Sequence, residues 1–523
     1  MFQRARLVMP LVVALALAAP LAAAAEPAPK APFGLADLHR VKSVQQVAIA
    51  RDGSAIAFTV QVPRRPWTED DGPAWVELHV AEKGTPARPF VSGPVNVSRI
   101  AFSPDGAEVF FVAKRKGEER AALWSIRRDG GEARKRLAFA TDVEGYALAP
   151  RGGLVAFLAR EKKPEALEAC EKKGFSQDVF EESWRPVRVW LATLDGAEPP
   201  KALDLPGSAS ELSFSPAGDR LAVALAPSPS VDDEYMARKV HVVSLEGKVL
   251  GRVAHDGKLG HVAWSPGGSR LAMTCAADRN DPSTAALVVA DATGGGARNL
   301  LEGFEGHAVS FAWESEASLA VVAARGVRTE LLSWPVGGGA PKARPLEGDT
   351  VLGAVDIAGD GTLALVAESP SSPSAPFRLA PGSARPERCA DLAPWLADRR
   401  LARPSVVRWK ARDGVELEGI LYEPFDRAGG ARVPLVVIVH GGPEAHYANG
   451  WLTRYSEPGQ LLAARGIAAF YPNYRGSTGR GLAFSKLSQG DPAGREFDDL
   501  VDAVDHLVAT GVADPKRVGI TGG

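Results

Sequence analysis

Four residues, His440-Gly441-Gly442-Pro443, directly follow a continuous apolar run at positions 435–439. Such a β-branched run predicts a strand that is buried on both faces. Glycines after the end of a strand leave backbone amides without bulky side chains, so a carbonyl group can approach them. Amides placed in this way can donate hydrogen bonds to the oxyanion that develops in acyl transfer. The motif therefore indicates an oxyanion-binding turn, and a tight turn without chemistry is the alternative.

A second motif of the same chemistry begins where the strand pattern Arg517-Val518-Gly519-Ile520-Thr521 precedes Gly522-Gly523. A nucleophile elbow, G-x-S-x-G, needs small residues there because its serine lies on a strained strand-to-helix turn. Gly522 and Gly523 match the start of an elbow, whose serine would be the next residue. The 523 residues contain no complete G-x-S-x-G. We therefore expect this chain to be an inactive fragment of an active protein, and a flexible glycine tail is the alternative.

The elements that position these motifs follow a long repetitive region at residues 33–397. Each repeat is an apolar strand, a turn built on Pro and Gly or on Asp-Gly, and a second apolar strand. Six copies have this turn at residues 51–53, 104–106, 150–152, 216–218, 266–268 and 359–361, and a weaker copy has its two strands at 311–313 and 319–322. The spacing, roughly 44 to 66 residues, is typical of four-stranded propeller blades. The repeats therefore predict a seven-bladed β-propeller, and an array of β-sandwiches is the alternative.

One interval between repeats is longer than the others and contains a charged, helix-favouring stretch at residues 161–185. An insertion of this kind in a blade lies on a loop, often at the binding face. A solvated surface excursion is the alternative.

The pattern changes near residue 398. A hairpin is predicted around Asp413-Gly414, followed by strands at 435–439, 467–471 and 518–520. Helices are predicted between these strands, at 460–465 and 498–509. Alternating strands and helices of this kind form half of a parallel α/β sheet.

Four motifs in this last region together resemble the prolyl oligopeptidase family of serine peptidases, in particular its bacterial acylaminoacyl peptidase and dipeptidyl peptidase branch. They are His440-Gly441-Gly442-Pro443, the segment from Tyr471 to Gly479, Glu496-Phe497-Asp498-Asp499-Leu500 and the segment from Asp514 to Gly523. The resemblance implies an all-β seven-bladed propeller at 26–397 and a partial α/β-hydrolase domain at 398–523. It also implies hydrolysis of short peptides by a Ser-Asp-His triad, here beyond residue 523, without a cofactor.

The resemblance further implies roles for individual residues. Gly442 would donate one oxyanion hydrogen bond through its amide, while His440 and Gly441 would shape the site. Ser477 would not be the nucleophile, because Arg475 occupies the place of the glycine that an elbow needs.

Two acidic residues of the blade insertion are further candidates by context. In dipeptidyl peptidase relatives, acidic side chains from a propeller insertion hold the free amino terminus of the substrate. Glu181 and Glu182 are the corresponding candidates in this chain.

The beginning of the sequence predicts export. Arg4 and Arg6 precede an apolar run at 7–19 and an alanine-rich stretch before Glu26, which is the pattern of a secretory signal peptide at 1–25. The expected location is the periplasm, and an uncleaved anchor helix is the alternative. The net charge of −2 gives no reason to expect nucleic acid or an anionic membrane as a partner.

The three cysteines, Cys170, Cys275 and Cys389, lie far apart and form no C-x-x-C pair. We therefore expect no metal site and inert, buried thiols. The sequence does not determine the oligomeric state.

Two other functions are compatible with this organisation. One is an exported propeller that binds ligands and has a vestigial hydrolase segment. The other is an esterase or lipase of the same hydrolase fold, against which the propeller argues.

Overall fold

The computed structural model describes residues 30–522 apart from Asp178, Phe180, Ala285, Ala428 and Pro443. The predicted signal peptide at 1–25, the proline of the H-G-G-P motif and Gly523 therefore lie outside the described residues. The described part begins with a short strand, β1 (Ala31–Pro32), and a 3₁₀ helix at Leu35–Arg40.

Seven four-stranded antiparallel sheets follow, each built from consecutive strands. Their bounds are, for blade 1, β2 Ser43–Ile49, β3 Ala55–Val62, β4 Trp75–Glu82 and β5 Arg88–Val91; for blade 2, β6 Ser98–Phe102, β7 Glu108–Ala113, β8 Ala122–Arg127 and β9 Arg134–Leu137; for blade 3, β10 Val143–Leu148, β11 Leu154–Arg160, β12 Val187–Thr193 and β13 Lys201–Ala202; for blade 4, β14 Ser208–Phe214, β15 Arg220–Ala226, β16 Lys239–Ser244 and β17 Val249–Val253; for blade 5, β18 Leu259–Trp264, β19 Arg270–Cys275, β20 Ala286–Asp291 and β21 Arg298–Asn299; for blade 6, β22 His307–Ser315, β23 Ser318–Arg325, β24 Arg328–Pro335 and β25 Lys342–Ala343; and for blade 7, β26 Val351–Ile357, β27 Leu363–Ser369, β28 Ser372–Leu379 and β29 Glu387–Arg388. The predicted seven-bladed propeller is confirmed.

The repeated turn of the sequence joins the first two strands of each blade. In blade 2 the Gly106 amide donates to the Ser103 carbonyl at 2.8 Å, and in blade 4 Gly218 donates to Ser215 at the same distance. Both glycines have φ near +75°, at +71° and +77°, a conformation that side chains disfavour. A local turn requirement therefore explains why this pattern recurs in the sequence.

The ring closes where blade 1 packs on blade 7. The Val44 amide donates to Ser374 Oγ at 2.9 Å, and the Ile49 amide donates to Asp356 Oδ2 at 2.9 Å. Because each blade contains only consecutive strands, these contacts between side chains and backbone, together with apolar packing, join the first blade to the last.

Two short helices lie in loops between the second and third strands of their blades. The insertion of blade 3 contains α1 (Glu165–Lys172), and blade 4 has α2 (Val231–Met236). Loops alternate between the two ends of an antiparallel sheet. The loops between second and third strands therefore share one face of the propeller with the connections that lead to the next blade.

A second 3₁₀ helix, Pro394–Asp398, leads from blade 7 to β30 (Arg399–Arg400), which pairs in parallel with β1. The hydrolase segment then contains β31 (Ser405–Lys410), β32 (Glu416–Tyr422), β33 (Val433–Val439), α3 (Gly459–Ala463), β34 (Ala468–Asn473), α4 (Leu482–Ser485), α5 (Arg495–Ala509) and β35 (Ala513–Gly522). The strand order of its sheet is β31-β32-β34-β33-β35, with β33 parallel to both of its neighbours. The predicted hairpin and the predicted half of a parallel sheet are confirmed.

One feature of this sheet differs from its sequence pattern. The apolar residues of β35 are typical of a strand buried in a sheet, whereas Val518 and Ile520 are 38% and 66% exposed, as expected for a strand that lacks a neighbour on one side. The physical reason is that β35 pairs only with β33 among the described strands and is therefore an edge strand of the sheet. Across the described residues, no helix is long and apolar enough to cross a membrane.

Candidate active site

The two glycine motifs of the sequence meet at one edge of the hydrolase sheet. Because β33 and β35 are parallel neighbours, their carboxyl ends lie side by side, where ligands bind in open α/β sheets. Val439, the last residue of β33, pairs with Gly522 at the end of β35. The H-G-G-P motif therefore begins next to Gly522, although some 80 residues separate them in sequence.

Close packing explains why glycines occupy these positions. A Cβ at Gly522 would lie 2.6 Å from the carbonyl oxygen of Val439, and a Cβ at Gly442 would overlap the amide nitrogen of Glu444. Gly442 also has φ of +119°, which favours glycine. Gly442 is exposed, and its amide donates no hydrogen bond to any other described residue. The amide can therefore donate to a ligand.

His440 is buried beside this turn and contacts the loop that follows β34. Its Nε2 lies 2.9 Å from Ser477 Oγ, and its ring stacks on that of Tyr474 with centroids 4.5 Å apart. The Tyr474 hydroxyl in turn donates to the His440 carbonyl oxygen at 2.7 Å. Burial lowers the pKa of His440, although its contact with the Gly441 carbonyl opposes this change. A neutral ring is therefore favoured.

Ser477 has the geometry of a structural residue. It is fully buried, and its Oγ donates to the Tyr474 carbonyl at 2.6 Å. That proton is therefore directed to the Tyr474 carbonyl and not to His440 Nε2. Ser477 therefore lacks the hydrogen bond from its hydroxyl to a base that activation of a serine nucleophile requires. A structural role for this loop agrees with the expectation from Arg475.

Arg475 itself holds the loop against α5. Its side chain donates to both carboxylate oxygens of Asp499, at 2.9 and 2.6 Å, and to both of Asp413, at 2.7 and 3.0 Å. The Arg475 amide adds a further bond to Asp499 at 2.9 Å. The hydrogen bonds from Arg475 lower the pKa of Asp413 to about 2. This ion cluster stabilises the loop after β34 that contains Tyr474 and Ser477.

The structure does not bring Glu181 and Glu182 together with the H-G-G-P turn. Both are exposed, and neither has an ion pair with another described residue. The insertion that contains them nevertheless joins the second and third strands of blade 3, so it leaves the propeller on the face that contacts the hydrolase segment. Their assignment as substrate ligands remains a prediction.

Sequence reasoning missed a group of propeller residues that lie at the turn. Lys258 Nζ, in blade 5, lies 2.8 Å from Glu444 Oε1 and 5.9 Å from the centre of the Tyr235 ring in α2. Tyr235 is 61% exposed. The S-x-x-D pattern from Ser230 to Asp233, a helix-start signal, could have located α2, but no local signal could have located its neighbours.

The expectation of buried cysteines is correct only in part. Cys275 is buried, Cys389 is half-buried, and Cys170 is exposed, because it lies on α1, a helix without any buried residue. No disulfide joins any two of these three cysteines. Among the described residues, no group of three or more His, Cys, Asp or Glu side chains could hold a metal ion.

A seven-bladed propeller followed by a sheet of this strand order, with a glycine turn at its carboxyl edge, defines a propeller-capped α/β-hydrolase. Residues 453–523 match the model of the prolyl oligopeptidase family. This match covers 71 of the 523 residues, all of them in the hydrolase segment.

Curated relatives are similar to part of the chain, and solved structures share its fold. An uncharacterized peptidase, YuxL, of Bacillus subtilis is 32% identical over 155 residues, which are 29% of this chain and 23% of YuxL. Dipeptidyl aminopeptidase BIII of Pseudoxanthomonas mexicana is 40% identical over 131 residues, 23% of this chain and 18% of that enzyme. The chain thus matches less than a quarter of the length of either relative. A structure of an acylaminoacyl peptidase in complex with Z-Gly-Gly-Phe-chloromethyl ketone shares the fold, with a TM-score of 0.73, 17% identity, and coverage of 92% of this chain and 74% of that one.

Proposed function

We propose that the chain is part of a serine peptidase that hydrolyses short peptides in the manner of a dipeptidyl or acylaminoacyl peptidase. The observation that carries this proposal is that the H-G-G-P motif begins beside Gly522, at the carboxyl edge shared by β33 and β35. One motif supplies an unpaired amide for an oxyanion, and the other has the start of a nucleophile elbow. The family match and the names of the relatives support the same reaction.

In this proposal the Gly442 amide donates one of the two oxyanion hydrogen bonds, and His440 and Gly441 hold the turn in place. The nucleophilic serine follows Gly523, and the Asp and His of the triad follow the serine, as the order of triad residues in this fold requires. The 523 residues contain no G-x-S-x-G. We therefore expect the 523-residue chain alone to be inactive.

The propeller limits the substrate in this proposal. Its blades 5 to 7 contact the hydrolase segment at the edge that contains the site, so only short or unfolded peptides reach it. Glu181 and Glu182 then hold the amino terminus of the substrate. The predicted signal peptide at 1–25 supports export of this enzyme to the periplasm.

The test compares the 523-residue chain with the product of the same reading frame extended past codon 523. Both are assayed with dipeptidyl and acylaminoacyl p-nitroanilides, with and without a serine-directed phosphonate. We expect phosphonate-sensitive hydrolysis by the extended protein only. An extended protein that folds but hydrolyses neither substrate contradicts the peptidase proposal, and peptide binding without hydrolysis would favour a scaffold.

A separate variant tests the assignment of the Gly442 amide as an oxyanion donor. In the extended protein, Gly442→Ala should lower kcat by about 10²- to 10³-fold, the usual effect of losing one oxyanion donor. Gly466→Ala is the matched control, because Gly466 also has positive φ, at +77°, but a Cβ there meets nothing within 4 Å. Equal activity of the two variants would contradict the assignment of Gly442.

A further inference from the structure

The loop that contains the proposed oxyanion donor, residues 440–451, contacts three successive propeller blades. Glu444 pairs with Lys258 of blade 5. The His446 ring meets that of His307 of blade 6 edge to face, with centroids 5.2 Å apart. The Trp451 amide donates to Glu368 of blade 7 at 3.2 Å. One hydrolase loop is therefore held along its length by the other domain.

The contact with blade 5 lies nearest to the proposed donor. Lys258 lies in the connection just before β18, and its Nζ donates to Glu444 Oε1 at 2.8 Å and to the Pro282 carbonyl at 2.6 Å. The Lys258 side chain is 18% exposed and that of Glu444 is 36% exposed, so water partly screens this ion pair. Although burial opposes ionisation, the hydrogen bond from Lys258 keeps the pKa of Glu444 below its ordinary value.

Glu444 transmits this contact to Gly442 through the backbone. The two residues are so close that a Cβ on Gly442 would overlap the Glu444 amide nitrogen. A displacement of Glu444 must therefore change the backbone angles of the turn and the direction of the Gly442 N–H bond. Hydrogen bonds to an oxyanion are effective only when the donor is held in position before the reaction.

We propose that Lys258 is a positioning residue of the active site, which holds the H-G-G-P turn through Glu444 so that the Gly442 amide points at the reacting carbonyl group. This proposal rests on the proposed peptidase function. It assigns the propeller a part in completing the catalytic site, in addition to limiting access to it.

The test measures kcat and KM of the extended protein with Lys258→Met and Glu444→Gln. We expect each variant to lower kcat roughly tenfold with KM changed less than about twofold, because a misplaced donor costs less than a lost one. Lys258→Arg keeps the charge and should restore most of kcat. The matched control is Lys486→Met, which removes a different ion pair between blade 5 and the hydrolase segment, Lys486–Asp278.

A second measurement separates this proposal from the proposed function. Hydrogen exchange of residues 441–447 should become faster in Lys258→Met than in the unchanged 523-residue chain, whereas Lys486→Met should affect residues near 486 instead. If the extended protein is inactive, the peptidase function fails and exchange still tests whether Lys258 orders the turn. Unchanged exchange at 441–447, an equal loss of kcat in Lys486→Met, or a change in KM alone overturns the proposal.

Discussion

Replacement of Asp499 by Asn should destabilise the hydrolase segment far more than replacement of Asp413 by Asn. Both carboxylates accept two hydrogen bonds from the Arg475 side chain. They differ in burial, since the Asp499 side chain is 0% exposed and that of Asp413 is 34% exposed. Arg475 is 3% exposed, so it depends on Asp499 for most of its charge compensation.

The magnitude follows from that difference in burial. Removal of one partner from a buried ion pair costs about 3–5 kcal/mol, because the other charge remains buried without compensation. An ion pair with a solvent-exposed partner contributes about 1 kcal/mol or less. Asp499→Asn should therefore lower the free energy of unfolding by about 3–5 kcal/mol, against about 1 kcal/mol for Asp413→Asn. Neither substitution changes the volume of the side chain appreciably.

The assay must report on the hydrolase segment, because a chain of two domains does not unfold in one step. Hydrogen exchange of α5 and of residues 474–478, as a function of urea, gives the local free energy of unfolding for each variant. We expect α5 and residues 474–478 to unfold at lower urea in Asp499→Asn. The contacts of His440 with Tyr474 and Ser477 should be lost in the same step. Equal shifts in the two variants would refute the reasoning from burial.

Three further predictions concern other parts of the chain. Burial lowers the pKa of His307 to about 4 and of His446 to about 3, so both rings are neutral in the folded protein. Because the unfolded chain binds protons on these rings below pH 6.5, the stability of the fold is full above this pH and falls as the pH drops. The thermal midpoint of the unchanged chain should therefore fall more between pH 7 and 5 than that of His307→Phe. Ellman's reagent should react rapidly with the exposed Cys170 alone, and Cys170→Ser should abolish this reaction. Burial raises the pKa of Cys275 to about 12, so Cys275 should react only after unfolding. Rapid labelling of Cys275 would contradict its buried position. Gly207→Ala should destabilise blade 4 by more than about 1 kcal/mol, since Gly207 has φ of +74° and an added Cβ would overlap the Ala226 carbonyl. The control in the same thermal melt is Gly84→Ala, because Gly84 has φ of +76° and an added Cβ there meets no atom within 4 Å.

Sequence alone determined the features that depend on neighbouring residues. The Pro-Gly and Asp-Gly turns revealed six of the seven blades, because these hairpins need positive φ at the same position each time, and the paired apolar strands alone revealed blade 6. The apolar run before His440 revealed β33, and the alternation of strands and helices after it revealed the parallel sheet. Each of these signals is contained within a few residues, so one chain without relatives was sufficient.

Only the tertiary structure decided which distant residues meet. Lys258 and Glu444 are 186 residues apart, and the local sequence around neither residue predicts their contact. Tertiary pairing also left Val518 and Ile520 exposed in a strand whose pattern is typical of a core, because β35 has a partner on one side only. Hydrophobic periodicity specifies that a face is apolar, whereas the packing of whole domains specifies what covers it and which charges lie beside the site.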